Sequence, residues 1–167
     1  MQKDELARLV AYEYNEFVQA VGKLSEQQLH NAPAGKWTPA QLAAHLHLSI
    51  RPVTLAFALP AFLLRLFFGV THRPVRTYEE LVARYKQKLA GGGRAGRAFV
   101  PPLNVRLAGV LKHLHHQSHA LATRVSRFSD AQLDELMLPH PLLGKLTLRE
   151  MLYFTAYHAQ HHRLQLP

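Results

Sequence analysis

Two histidines one helical turn apart, His158 and His162, lie near the end of the stretch Thr147-Leu-Arg-Glu-Met-Leu-Tyr-Phe-Thr-Ala-Tyr-His158-Ala-Gln-His161-His162-Arg-Leu-Gln165. Thr147 and Glu150 form a T-x-x-E capping box, and the apolar spacing Leu148, Met151, Leu152, Thr155 runs on into His158 and His162. The spacing predicts that both imidazoles point into a core. Buried imidazole lone pairs are costly without a partner, and a divalent metal is a good partner for them. His161 could take the place of His162 at i,i+3, and spacing alone does not decide between them. A second helix must then bring the remaining ligand.

That ligand is a histidine or a carboxylate, because the chain has no cysteine: no thiolate, disulfide or cysteine nucleophile is available. Twelve histidines are the anomaly of an otherwise ordinary composition, 48% hydrophobic and 19% charged. The 167 residues suit a single domain, 1–167, that buries a real core. The net charge of +9 attracts anions, but it is scattered without a basic block, so no nucleic-acid partner is expected. Met1-Gln-Lys-Asp-Glu opens a charged helix without a signal-peptide core, which gives a cytoplasmic expectation.

The elements that must position the histidines read as helices. Lys3 to Gly22 is amphipathic, with Leu6, Val10, Phe17 and Val21 on one side. Ser25-Glu-Gln-Gln28 caps a short piece, and Thr38-Pro39-Ala-Gln41 starts a helix with an N-cap, a proline at the first position and a glutamine at the third. The stripe of that helix is Leu42, His45, Leu46, Ser49 and Val53, so His45 faces inward and His47 falls on another side. Val53 to Val70 nearly reaches membrane-span length, but Arg65 and the lack of anchors at both ends argue for a buried helix or helix-plus-loop over stable membrane insertion. A dimer-forming or membrane-contacting surface is the alternative. Thr77-Tyr-Glu-Glu80 caps a helix to about Leu89, and the glycines and prolines from Gly91 to Pro102 mark a mobile loop.

Asn104 to Arg127 is a long helix with Leu107, Val110, Leu111, Leu114, Ser118, Leu121 and Val125 on its stripe. His113, His115, His116 and His119 lie off it and read as a solvated or inter-subunit face. Ser129-Asp-Ala-Gln132 caps another short piece, and Pro139 to Gly144 turns the chain into the final helix. Each half thus has a long helix, a capped short piece, a break, and a Thr-capped helix, with one inward histidine in the first half and a pair in the second. This pseudo-repeat brings the Thr38 and Thr147 helices together in a four-helix bundle, where His45 meets His158 and His162. Three neutral imidazoles leave a metal with open positions for water or substrate, the mark of a catalytic site. No general base stands out, and Glu150 reads as a cap.

Trp37-Thr-Pro-Ala-Gln-Leu-Ala-Ala-His45-Leu, His140-Pro-Leu-Leu-Gly-Lys-Leu-Thr and Tyr157-His158-Ala-Gln-His161-His162-Arg-Leu-Gln165 together resemble the DinB/YfiT-like superfamily of bacterial metalloenzymes. The likeness covers nearly the whole chain. It implies an all-α, up-down-down-up four-helix bundle that often dimerises, so a homodimer is expected. It also implies metal ligands at His45, His158 and His162, which disfavours His161 and His47. The implied metal is nickel or zinc, with water completing the shell. The implied reaction is a small-molecule thiol-dependent transfer, using a low-molecular-weight thiol, or a hydrolysis; a non-catalytic metal- or ligand-binding stress-response module is the alternative. The apolar stretch Val53 to Val70 departs from the family pattern and suggests a hydrophobic substrate pocket or a dimer surface.

Overall fold

The computed structural model describes residues 1–167. Its helices are α1 (Lys3–Gly22), α2 (Glu26–His30), α3 (Pro39–Ala56), α4 (Ala61–Phe68), α5 (Tyr78–Ala90), α6 (Leu107–Val125), α7 (Asp130–Glu135) and α8 (Leu148–Arg163). A 3-10 turn, Arg97–Phe99, precedes α6, and a hairpin of β1 (Met137–His140) and β2 (Gly144–Thr147) precedes α8. All five capping boxes read from the sequence form, at Ser25, Thr38, Thr77, Ser129 and Thr147. Each satisfies otherwise orphaned N–H groups, worth typically about 1 kcal/mol.

Helices α1, α3, α6 and α8 form the bundle, and residue pairs between them fix its directions. His47 meets Gln117 and Thr54 meets Arg124, so α3 and α6 run parallel. The Met1 carbonyl accepts from Arg149 and Glu13 accepts from Arg163, so α1 and α8 are parallel too. Lys3 reaches the carbonyl of Phe128, which sets α1 antiparallel to α6. The order is therefore up-down-down-up. Parallel neighbours cannot be joined by a short turn, and residues 57–106, carrying α4, α5 and the 3-10 turn, supply the crossover between α3 and α6.

The core is fullest where α1 packs on α6 and α8, through Leu6, Val10, Tyr14, Phe17 and Val21. Helices α3 and α8 touch far less, so the helix pair expected at the middle of the bundle meets across a looser seam. Helix α8 is buried on every side from Leu148 to Ala159, beyond the single stripe read from its sequence.

Two regions differ from expectation. Val53 and Phe57 are buried, but the chain breaks before Pro60 and α4 leaves α3 at 110°. An eight-residue helix lying on the surface buries one edge: only Leu64 of α4 is buried, while Phe62, Leu66 and Phe67 are 65–72% exposed. The buried-helix expectation thus fails for α4. No single helix is long and apolar enough to cross a membrane. The hairpin was not anticipated, since four-residue strands leave almost no periodicity to read. It pairs Leu138 with Leu146, turns through Gly144 at φ +78°, and delivers Thr147 as the cap of α8.

Glu150 is the cap expected and also a buried anchor. Its carboxylate, fully enclosed, accepts from the Thr147 N–H, from both ends of the Arg73 guanidinium, and from the backbone and side chain of Arg76. Burial alone would raise its pKa, but the Arg73 bonds, with those from the Arg76 and Thr147 backbone, outweigh it and hold the carboxyl below its usual range. The pair clamps the crossover onto the start of α8.

Candidate metal centre

His45 reaches the seam because Thr38 and Pro39 start α3 seven residues earlier, which sets Leu42, His45, Leu46 and Ser49 on its inner face. His158 and His162 come from the last two turns of α8. The three side chains are 4–6% exposed, and their ligand atoms all lie within 4.8 Å of one another. His158 Nε2 stands 3.1 Å from His45 Nε2 and 3.0 Å from His162 Nε2.

The outer nitrogens decide what the inner ones can be. His45 Nδ1 donates to the carbonyl of Phe99 at 2.6 Å, and His162 Nδ1 donates to Gln165 Oε1 at 3.0 Å. In the neutral rings both Nε2 atoms therefore carry lone pairs, aimed at His158 Nε2. His158 has no good tautomer in this setting. A proton on Nε2 serves one lone pair well and leaves the other, whereas a proton on Nδ1 is buried without an acceptor, since that atom has no hydrogen-bond partner. Three converging lone pairs, two of them on rings whose outer protons are already committed, fit a divalent cation.

All three imidazoles are held neutral. Burial lowers the pKa of His45 despite the Phe99 bond, and burial reinforced by its imidazole neighbours lowers that of His158 well below the ordinary value. Burial takes His162 down to about 3. Neutral imidazole is the form that binds a metal. Trp37 packs on His45 with centroids 4.8 Å apart, and Phe154 stacks on His158 at 4.9 Å. The histidines open onto a cavity of about 1170 Å³ in the seam between α3 and α8.

The DinB superfamily sequence profile matches residues 10–166. The chain belongs to the DinB superfamily. Among solved structures it is similar to YfiT from Bacillus subtilis, titled a "probable metal-dependent hydrolase with an unusual four-helix bundle topology", at 20% identity and a TM-score of 0.64. The match covers 99% of this chain and 83% of that one. At that identity the likeness establishes the four-helix bundle fold. No curated protein matches the sequence.

Elsewhere in this DinB superfamily chain the other histidines stand apart from the triad, His161 included, which spacing alone had left open. His161 is half-buried beside Tyr85, where its Nε2 accepts from Gln165. His47 turns to Gln117 and His113 on α6. His113, His115, His116 and His119 are exposed. Sequence reasoning missed two partners of the triad. Phe99 acts through its backbone carbonyl, from a loop read only as a mobile linker, and no side-chain pattern encodes that. Gln165 was legible, since i+3 from His162 near the helix end is the reach of a side-chain amide. A third wall residue is His140, whose Nδ1 accepts from the N–H groups of Leu142 and Leu143, and burial lowers its pKa to about 4.

Proposed function

We propose that this protein is a divalent-metal-dependent enzyme of the hydrolase type acting on a small molecule, with His45, His158 and His162 as the ligands. The observation that carries the reading is the convergence of three buried Nε2 atoms whose opposite nitrogens are pinned or orphaned. A bound divalent ion supplies Lewis acidity to coordinated water or to a carbonyl. Zinc and nickel both suit an all-imidazole set with open positions.

The chain's own groups have separable roles. The Phe99 carbonyl and Gln165 fix the ring orientations of His45 and His162. Trp37, Phe154 and Tyr85 keep bulk water from the imidazoles. No carboxylate lines the cavity, so proton handling falls to imidazoles. His140, with Nδ1 accepting two backbone bonds, keeps its proton on Nε2 and offers a neutral donor on the cavity wall for an oxygen gaining charge. A low-molecular-weight thiol in place of water as the attacking group would make the same site a transferase.

Elemental mass spectrometry on purified protein tests the ligand set. About one divalent ion per chain in wild type, lost in His158→Ala, is expected. No metal after incubation with zinc or nickel would sink the reading. Metal without turnover of ester or thiol substrates would instead favour a binding module.

A further inference from the structure

The cavity at the histidines extends beyond them, and one of its walls follows a helical stripe. His45, Ser49, Pro52, Val53 and Ala56 all line it, at i, i+4, i+7, i+8 and i+11 on α3. From His45 to Ala56 that wall runs about 16 Å at 1.5 Å per residue. The facing wall is the α8 stripe of Met151, Phe154 and His158, and Leu138 of β1 and Phe68 of α4 help enclose the far end. The long arm is apolar: Ser49 spends its hydroxyl on the His45 carbonyl, so it adds no free polar group. The opposite end, before the first turn of α3, carries Lys36 and Arg94, both exposed. The wall thus holds two formal cations and no carboxylate.

We propose that the seam between α3 and α8 binds the alkyl or acyl chain of an anionic, amphipathic small molecule, with the chain running from the histidines toward Ala56. This names the substrate class for the site and rests on the proposed function for what happens at the imidazoles, though the binding itself does not. A short polar substrate would leave the arm unfilled against greasy walls. A chain that fills it gains about threefold to fourfold in affinity per buried methylene.

The protein carries its own reporter, since Trp37 is the only tryptophan, lines the cavity and packs on His45. Straight-chain alkanoates from butanoate to tetradecanoate are titrated into metal-free protein by Trp37 fluorescence and calorimetry. Affinity should climb about threefold to fourfold per methylene, and decanoate should bind more tightly than decyltrimethylammonium. Ala56→Phe, which plugs the far end, should abolish the gain for the longest chains and leave butanoate unchanged. If circular dichroism shows that variant unfolded, Ser49→Leu at mid-arm takes its place. Affinity independent of chain length, equal binding of the ammonium, or a length dependence untouched by a folded plug variant would each overturn the proposal. Because the titration uses metal-free protein, inactivity of the metal-loaded protein toward esters would count against the hydrolase reading alone.

Discussion

Two groups of histidines of similar size lie on this bundle and could hardly differ more. His113, His115, His116 and His119 crowd the outer face of α6, with the His115 and His119 rings 4.4 Å apart, yet all four are exposed. His45, His158 and His162 come from two helices and are nearly sealed from water, and their Nε2 atoms face one another. Density of histidine in a sequence therefore says little. A site arises where burial removes water as a partner and the outer nitrogens of His45 and His162 are already taken, leaving the inner ones to converge on a single point.

This contrast can be attacked at several strengths. His158→Ala, at the centre of the triad, should abolish stoichiometric metal retention, whereas His116→Ala should leave it intact; equal losses would erase the distinction. Glu150→Ala strips the buried carboxylate from Arg73, Arg76 and the Thr147 N–H, and since the guanidiniums left behind are partly solvated the loss should be about 1–3 kcal/mol, visible in denaturant unfolding. Gln165→Leu removes the group that orients His162 and should weaken metal affinity about 10- to 100-fold by competitive chelator titration. A change under twofold would demote Gln165 to packing.

Metal-free protein should lose stability as pH falls from about 6.5 toward 3. The buried imidazoles are depressed in the fold, to about 3 for His162 and about 4 for His140. The unfolded chain therefore takes up protons first, and stability present above pH 6.5 drains away by up to about 1.4 kcal/mol per pH unit per group. Urea unfolding across that range measures the slope, and a flat profile would contradict the buried neutral state. The smallest effect belongs to the outer face: His119→Ala should shift stability by no more than about 0.5 kcal/mol.

Much of this was legible before any coordinates. Capping chemistry is local, so five helix starts could be read from four-residue windows, and the reading of α1 from about Lys3 to Gly22 agrees with the helix that forms. The inward placement of His45, His158 and His162 followed from period and pseudo-repeat. What escaped notice depends on long-range partners. The α4 segment is as apolar as a core helix, and only the 110° bend puts it on the surface. Arg73 and Arg76 have no local pattern that marks a partner, and only the fold of the crossover sets them on Glu150. The Phe99 carbonyl has no side-chain signature at all.

The parallel pairing of α3 with α6 also bears on how quickly the molecule can assemble. His45 and His158 are 113 residues apart in the chain, and the bundle cannot close until the crossover has swung the second half into place. Contacts so distant in sequence raise the contact order above that of an up-and-down bundle of equal length, and folding slows accordingly. A refolding chain should therefore acquire its local helical signal well before it acquires the ability to hold metal, with the lag set by loop closure.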